Sequence, residues 1–327
     1  MTTILVTGGA GYVGSHTCRA LAASGYTPVV YDNLCRGHAD FVRWGPLVVG
    51  DVLDRAALAR TFAQYRPGAV IHFAALAYVG ESVADPLPYY KTNIAGMVNV
   101  LDAMSEAATD KIVFSSSCAI YGIPESVPIA ESAAQRPISP YGRSKLMCEQ
   151  MIKDTAAARN LRFVILRYFN AAGADASGDL PERHEPETHL VPLALDAVMG
   201  QAPPLHVFGT DYATRDGTCE RDFIHVSDLA TAHVEAISRI DDDMPRAFNL
   251  GAGRAHSVLE VIACVERVVG KQVPLVRTTR RPGDPPSLFA DPASAQRYLG
   301  FQPRYSQLET IVETAWRSRR VAQKTPR

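Results

Sequence analysis

The chain has 327 residues, 47% of them hydrophobic and 20% charged, the composition of one large or two ordinary globular domains with a sizeable core. A net charge of −1 argues against nucleic acid as the main partner, and no apolar run reaches the length of a membrane span. Cys18, Cys35, Cys118, Cys148, Cys219 and Cys264 show no CxxC or metal-type spacing and read as reduced thiols of a cytoplasmic enzyme, while the nine histidines form no ligand cluster, so no metal is expected.

The first predicted element is a short apolar strand over residues 3–7, which begins so early that it leaves no room for a signal peptide. It runs directly into Gly8-Gly-Ala-Gly11-Tyr-Val-Gly14 and then a helical pattern over 15–24. A strand, a glycine turn and a helix in that order open a dinucleotide-binding βαβ unit. The glycines allow a tight turn and close approach of backbone to a pyrophosphate, and the N–H groups at the helix start face the phosphates. A second strand over 27–31 is followed by Asp32, an acid positioned to accept hydrogen bonds from an adenosine ribose and to repel a 2′-phosphate, which favours NAD over NADP. Arg36 in the same loop works against that preference. A third strand over 46–49 leads to Asp51 and Val52, suited to an adenine ring, with Asp51 also able to cap the helix expected over 55–65.

A fourth buried strand, 69–73, ends in Ala74-Ala75, small residues that let a cofactor pass close over the strand ends. Residues 79–90 read as a loop and 93–106 as a helix. The fifth strand, 112–114, runs into Ser115-Ser-Ser117, and a sixth, 163–166, into Arg167-Tyr-Phe-Asn170. This alternation implies an α/β fold with a Rossmann-type doubly wound parallel sheet. From Ala171 the texture changes: a polar loop over 173–187, a helix over 190–200, short strands over 203–208 and 217–225, a helix over 226–237, a strand over 247–251, and helices over 258–269 and 306–320 before a basic tail. The expected division is an NAD-binding domain over 1–172, to which the chain returns at about 223–250. Residues 173–222 and 251–327 would form a smaller, mixed α/β domain for the substrate.

The stretch Ser139-Pro-Tyr141-Gly-Arg-Ser-Lys145 carries the chemistry. Pro140 suits a first helical turn, and Tyr141 and Lys145, four apart, then share one helix face. A tyrosine has a pKa of roughly 10, and a fixed ammonium beside it favours the phenolate. Lowering that pKa by about three units takes roughly 4 kcal/mol, which one lysine plus a positive cofactor ring could supply, giving a base poised near neutral pH. Ser117, at the end of the fifth strand, would face the same crevice.

These residues together resemble the extended short-chain dehydrogenase/reductase family, and within it the UDP-glucose (UDP-galactose) 4-epimerases, over nearly the whole chain. The matching stretches are Thr7–Gly14, Tyr31-Asp-Asn-Leu34, His72-Phe-Ala-Ala75, Val79-Gly-Glu-Ser82, Phe114–Ser117, Ser139–Lys145 and Arg167–Asn170. Downstream they are Phe208-Gly-Thr-Asp-Tyr212, Asp216-Gly-Thr218, Arg221–Leu229 and Arg281-Pro-Gly-Asp284. The resemblance implies that NAD takes a hydride from C4 of a UDP-sugar while Tyr141 takes the 4-hydroxyl proton, Ser117 relays it, and Lys145 holds the nicotinamide ribose and depresses the Tyr141 pKa. It implies a cofactor site lined by Gly8, Gly11, Tyr12, Val13, Gly14, Asp32, Asn33, Leu34, Asp51, Val52, Phe73, Ala74, Ala75, Asn93, Ser115, Tyr141, Lys145, Tyr168 and Phe169. The UDP side would be Asn170, His189, Leu190, His206, Val207, Phe208, Arg221, Arg281 and Asp284, with Leu288 at the sugar pocket beside Ser117 and Tyr141. A homodimer through the helices after the fourth and fifth strands is implied as well.

Departures bear on the substrate. Leu288 falls where some relatives carry a tyrosine, leaving room for an N-acetyl group at C2, while Ala77 and His189 fall where some carry lysine and asparagine. Dehydratases and decarboxylases of the same fold carry acidic residues just after the Ser117 position, where this chain has Cys118-Ala119, so water elimination lacks its acid and base. Two alternatives stay open: a 4-epimerase of another UDP-sugar (UDP-xylose/UDP-arabinose or UDP-glucuronate), and a non-enzymatic NAD-binding regulator.

Overall fold

The structure, a computed structural model, describes residues 2–281 and 284–324. Met1, Pro282, Gly283 and residues 325–327, which include part of the Arg281–Asp284 motif and the end of the expected basic tail, lie outside the described residues. The elements run β1 (Thr3–Thr7), α1 (Tyr12–Ala23), β2 (Thr27–Asp32), β3 (Leu47–Val49), α2 (Arg55–Tyr65), β4 (Ala69–His72), α3 (Val79–Ala84), α4 (Leu87–Tyr89), a π-helical turn (Tyr90–Ala95) and α5 (Gly96–Glu106). Then come β5 (Lys111–Ser117), α6 (Pro140–Arg159), β6 (Arg162–Tyr168), β7 (Asn170–Ala172), α7 (Leu190–Val198), β8 (Leu205–Phe208), β9 (Glu220–His225) and α8 (Val226–Ser238). The last are β10 (Ala247–Leu250), β11 (Ala255–Ser257), α9 (Val258–Val269), β12 (Leu275–Thr278), β13 (Ser287–Leu288), α10 (Ala293–Leu299) and α11 (Leu308–Lys324).

Seven strands form one parallel sheet in the order β10-β6-β5-β4-β1-β2-β3. Runs such as Ile4-Leu-Val6 and Ile112-Val-Phe114 are apolar on both sides because helices cover both faces. One face buries Ile4, Val6 and Val113 with α1, α8 and α10; the other buries Leu5, Val70 and Phe114 with α2, α5 and α6. The order reverses between β1 and β4, so the crevice at the carboxyl ends of those strands is the place where such sheets bind ligands.

A smaller sheet joins β11, β9 and β13, with β7 added to β9, and β8 pairs β12 alone. The third core lies here, under α7, α9 and α11. The tight N-terminus of α9 comes from a capping box between Ser257 and Glu260, and Gly270 ends the helix in the left-handed region. Two later elements matter for position: β7 follows β6 into the small sheet by pairing with β9, and α8 returns from β9 to pack on α1.

Several local expectations are corrected. Residues 79–90 are not a loop: Val79–Ala84 is helical, because Ser82 bonds back to the Val79 carbonyl at 2.6 Å and is buried against α6. The cap of α2 is Asp54, whose carboxylate accepts from Ala57 N at 2.9 Å, rather than Asp51. Strands β7, β11, β12 and β13 and helix α10 have no counterpart among the predicted elements; four are two to four residues long and are held by pairing with distant partners.

Candidate active site

Helix α6 delivers the two groups at its first turn. The Ser139 hydroxyl caps it, accepting from Gly142 N at 3.1 Å, and Pro140 fills a position where an N–H is not needed. Tyr141 N–H donates to Ser82 Oγ of α3 at 3.2 Å, so a fully buried hydroxyl satisfies one of the orphan donors of the helix start. Ser144 donates to the Tyr141 carbonyl at 2.8 Å and accepts from Asn93 Nδ2 at 2.9 Å. Asn93 also clamps Leu76, accepting from its N–H at 2.8 Å and donating to its carbonyl at 3.0 Å. Sequence reasoning gave no role to Ser82 or Ser144, although both lie inside motifs it singled out.

Lys145 Nζ donates to the Ser115 carbonyl at 2.7 Å and lies 4.9 Å from the Phe114 ring centre and 6.0 Å from that of Tyr141. The Ser115 hydroxyl bonds the Tyr168 hydroxyl at 2.6 Å, and Ser117 Oγ accepts from Ala119 N at 3.1 Å. Burial pushes the Tyr141 phenol up, the nearby Tyr168 adds to this, and hydrogen bonding with Ser117 offsets only part. Burial also brings Lys145 down to about 8. For the chain by itself, desolvation in this wall is the largest influence on the Tyr141 phenol, whereas the expected depression counts on Lys145 together with a positive cofactor ring.

Behind the dyad, Glu149 lies one helical turn beyond Lys145 and is fully buried. It accepts from Ser116 Oγ at 2.6 Å and from Arg167 Nε at 2.9 Å and Nη2 at 2.6 Å. Arg167 also donates to Tyr121 OH at 3.0 Å, which donates to Asn249 at 2.7 Å. This network ties α6 to β5 and β6 and fixes the register of Tyr141 and Lys145 against Ser117.

The cofactor-side residues line the carboxyl ends of β1, β2, β4 and β5. Gly8 has φ of +73°, and a Cβ there would stand 2.6 Å from Ala74 N; one at Gly14 would stand 2.3 Å from the Gly8 carbonyl. Helix α1 starts at Gly11 with no side-chain cap and no acidic residue in its first turn, which leaves its N–H groups for an anion. Asp32, buried at this edge, accepts from Ala10 N at 3.0 Å and Leu34 N at 2.8 Å, and burial raises its pKa. Asn33 donates to Asp51 at 2.9 Å, Val52 is buried under Gly96, and Phe73 packs on His233. Arg36 is engaged elsewhere, paired with Glu81 at 3.1 Å, donating to the Glu185 carbonyl and lying over Tyr78, so it leaves the preference set by Asp32 intact. A backbone cradle, an uncapped helix end and a buried acid fit a dinucleotide. Val13 is half-buried, Tyr12 donates to the Gly173 carbonyl at 2.6 Å, Ala75 is half-buried, and Phe169 is buried beside Ile120 and Tyr121.

On the opposite wall, Asp284 gathers both arginines, at 2.8 Å from Arg281 Nε and 3.5 Å from Arg221 Nη2. Arg281 lies over the Phe208 ring at 4.7 Å, and Phe208 stacks with the exposed His206. Leu288 pairs with Arg221 in the strand register and packs on the cluster holding Cys118 and Phe169. Asn170 is half-buried on β7, and Leu190 begins α7. The side chain of Val207, between His206 and Phe208, is fully buried in the third core, so no side-chain contact with a ligand is open to it. The side chain of His189 is committed to Glu187 at 2.9 Å and Glu182 at 3.2 Å. The absence of a histidine ligand cluster is corrected too, because Glu182, His184, Glu187 and His189 bring donor atoms within 4.8 Å of one another.

Residues 4–251 match the NAD dependent epimerase/dehydratase family. The chain belongs to this family. It is 52% identical over 314 residues to a UDP-glucose 4-epimerase of Rhizobium meliloti (strain 1021), covering 96% of this chain and 95% of that protein. This family member also matches the crystal structure of UDP-glucose 4-epimerase from Brucella ovis in complex with NAD. There the TM-score is 0.94 at 53% identity, covering 97% of this chain and 98% of that one. A UDP-glucose 4-epimerase from Stenotrophomonas maltophila with bound NAD and formylated UDP-arabinopyranose matches with TM-score 0.94 at 40% identity, over 99% and 100% of the two chains.

Proposed function

We propose that this family member is a UDP-glucose 4-epimerase that interconverts UDP-galactose and UDP-glucose with NAD held in the glycine cradle. The observation that carries the reading is a dyad, Tyr141 and Lys145, beside Ser117 at the carboxyl edge of the parallel sheet, followed by Cys118-Ala119 where elimination would need an acidic pair. The seven-stranded unit would hold the cofactor and the smaller sheets the nucleotide. NAD, when bound, supplies reversible hydride acceptance with no net redox change. Tyr141 takes the proton of the sugar 4-hydroxyl, and Ser117 orients and relays it. Lys145 binds the nicotinamide ribose, and its charge adds to the positive field that lets a buried Tyr141 ionise. Arg221 and Arg281, oriented by Asp284, grip the pyrophosphate as guanidinium forks while the 4-keto sugar turns over and presents its other face.

Room for an N-acetyl group rests on Leu288, half-buried beside Cys118 and Phe169, being shorter than the tyrosine of some relatives. A homodimer draws support from exposed Val83, Leu87, Val98 and Met147 on helices around α6. Six free thiols suit the cytoplasm, and among the described residues no helix is long and apolar enough to cross a membrane. The test is direct: purified protein, with no added oxidant or reductant, should convert UDP-galactose to UDP-glucose and the reverse. Retention of NAD without turnover would favour the regulator, and turnover of UDP-xylose alone would favour the pentose reading.

A further inference from the structure

The segment between β7 and α7 carries a group of which only His189 was expected on the UDP side and none takes part in the proton or hydride steps. Glu182, His184, Glu187 and His189 converge from eight consecutive residues, and among the described residues they are the one set of histidine, cysteine and carboxylate side chains so gathered. His189 Nδ1 lies 2.9 Å from Glu187 Oε1 and 3.2 Å from Glu182 Oε1; His184 Nδ1 lies 3.4 Å from Glu187 Oε2 and 3.6 Å from Glu182 Oε1. A four-coordinate cation with bonds of about 2.0–2.2 Å sets its donor atoms about 3.3–3.6 Å apart. The His184 spacings of 3.4 and 3.6 Å fall in that range, and the His189 spacings of 2.9 and 3.2 Å are slightly shorter, so small side-chain shifts would seat the ion.

Hydrogen bonding alone leaves the group incomplete. Each imidazole Nδ1 can donate one proton, and both have Glu187 as the better acceptor. Glu182 is 4% exposed, and neither of its carboxylate oxygens has a hydrogen-bond partner. The nearby Tyr12 hydroxyl is spent on the Gly173 carbonyl, and Arg319 is spent on Asp196. A buried carboxylate without a donor is costly, and a divalent ion removes the cost. Two carboxylates balance its charge and two neutral imidazoles complete its shell, each residue offering one donor atom. The backbone around the group is already fixed: Arg183 pairs with Asp40 at 2.6 Å, its carbonyl lies 3.1 Å from His38 Nε2, and Arg36 donates to the Glu185 carbonyl.

We infer that Glu182, His184, Glu187 and His189 form a structural site for a zinc-class divalent cation, pinning the chain between the ribose-side loop and the start of α7. Mixed imidazole and carboxylate donors suit Zn²⁺ or Co²⁺ over the oxygen-seeking Mg²⁺ and Ca²⁺. The site is separate from the redox chemistry and stands whether or not the proposed reaction does.

The test uses full-length protein treated with a chelator, dialysed, and titrated with CoCl₂ and then ZnCl₂. The expected result is one Co²⁺ per chain with the intense visible absorption of four-coordinate cobalt, its displacement by Zn²⁺, and a higher melting temperature with Zn²⁺ than without. Glu182→Gln, which replaces an unpartnered carboxylate by a neutral amide of the same shape, and His184→Ala should each weaken binding by at least the loss typical of even an outer-shell partner, about 10–100-fold. If Glu182→Gln does not fold, His184→Ala carries the comparison. No stoichiometric uptake by the wild-type protein, or equal uptake by the variants, overturns the site.

Discussion

The two walls of the crevice are built differently. On the cofactor wall the fixed features are backbone and buried: Gly8 against Ala74, Gly14 against Gly8, Asp32 held by two backbone N–H groups, and Lys145 held by a carbonyl. On the nucleotide wall they are side chains in partial contact with water: Arg281 is 58% exposed and is held by Asp284 and the face of Phe208. The difference suits the division of labour in the proposed reaction. A wall that sets proton and hydride geometry must not move, whereas a wall that grips a pyrophosphate while the sugar turns needs charge more than rigidity.

Breaking the rigid wall should cost most. Tyr141→Phe removes the acid–base group, and kcat should fall by about 10²–10⁴-fold with NAD still bound, as read by steady-state kinetics and cofactor content. An unchanged kcat would mean that another group moves the proton. Next comes the support behind the dyad. Arg167→Met leaves the buried Glu149 with only the Ser116 hydroxyl and Lys153, at 3.8 Å, for partners, and chemical denaturation should show a loss of about 3–5 kcal/mol, the cost of breaking a buried pair. The soft wall should respond in binding rather than turnover. Arg221→Ala and Arg281→Ala each remove charge-assisted bonds worth about 1.5–3 kcal/mol. Each should raise KM for UDP-galactose by roughly 10–100-fold with kcat and NAD content little changed. A fall in kcat instead would erase the contrast between the walls. The smallest effect is expected at the sugar pocket. Leu288→Tyr should lower turnover of UDP-N-acetylglucosamine relative to UDP-galactose by about tenfold, a pocket-size discrimination, as measured by kcat/KM on both sugars.

The same contrast explains what could be read from sequence. The glycine turn, Asp32 and the Ser139–Lys145 helix start are local patterns, each written in fewer than ten residues, and the strands of the large sheet announce themselves as apolar runs. What was missed depends on distant partners. Ser82 becomes part of a helix and bonds Tyr141 N across 59 positions. Val207 turns inward because β12, some seventy residues on, pairs with its strand. The carboxylate–histidine group was invisible because its spacing matches no familiar ligand motif and its convergence depends on a loop without regular structure. The surroundings of Tyr141 are illegible for a related reason: sequence shows the lysine four residues on, but not how completely the phenol is desolvated.

The central claim is that hydrogen leaves C4 and returns to the same carbon without exchanging with water. UDP-galactose carrying deuterium at C4 of the sugar, incubated with the purified protein in ordinary water, should give UDP-glucose with the label still at C4 by NMR and mass spectrometry. Loss of the deuterium to solvent during inversion would contradict the account.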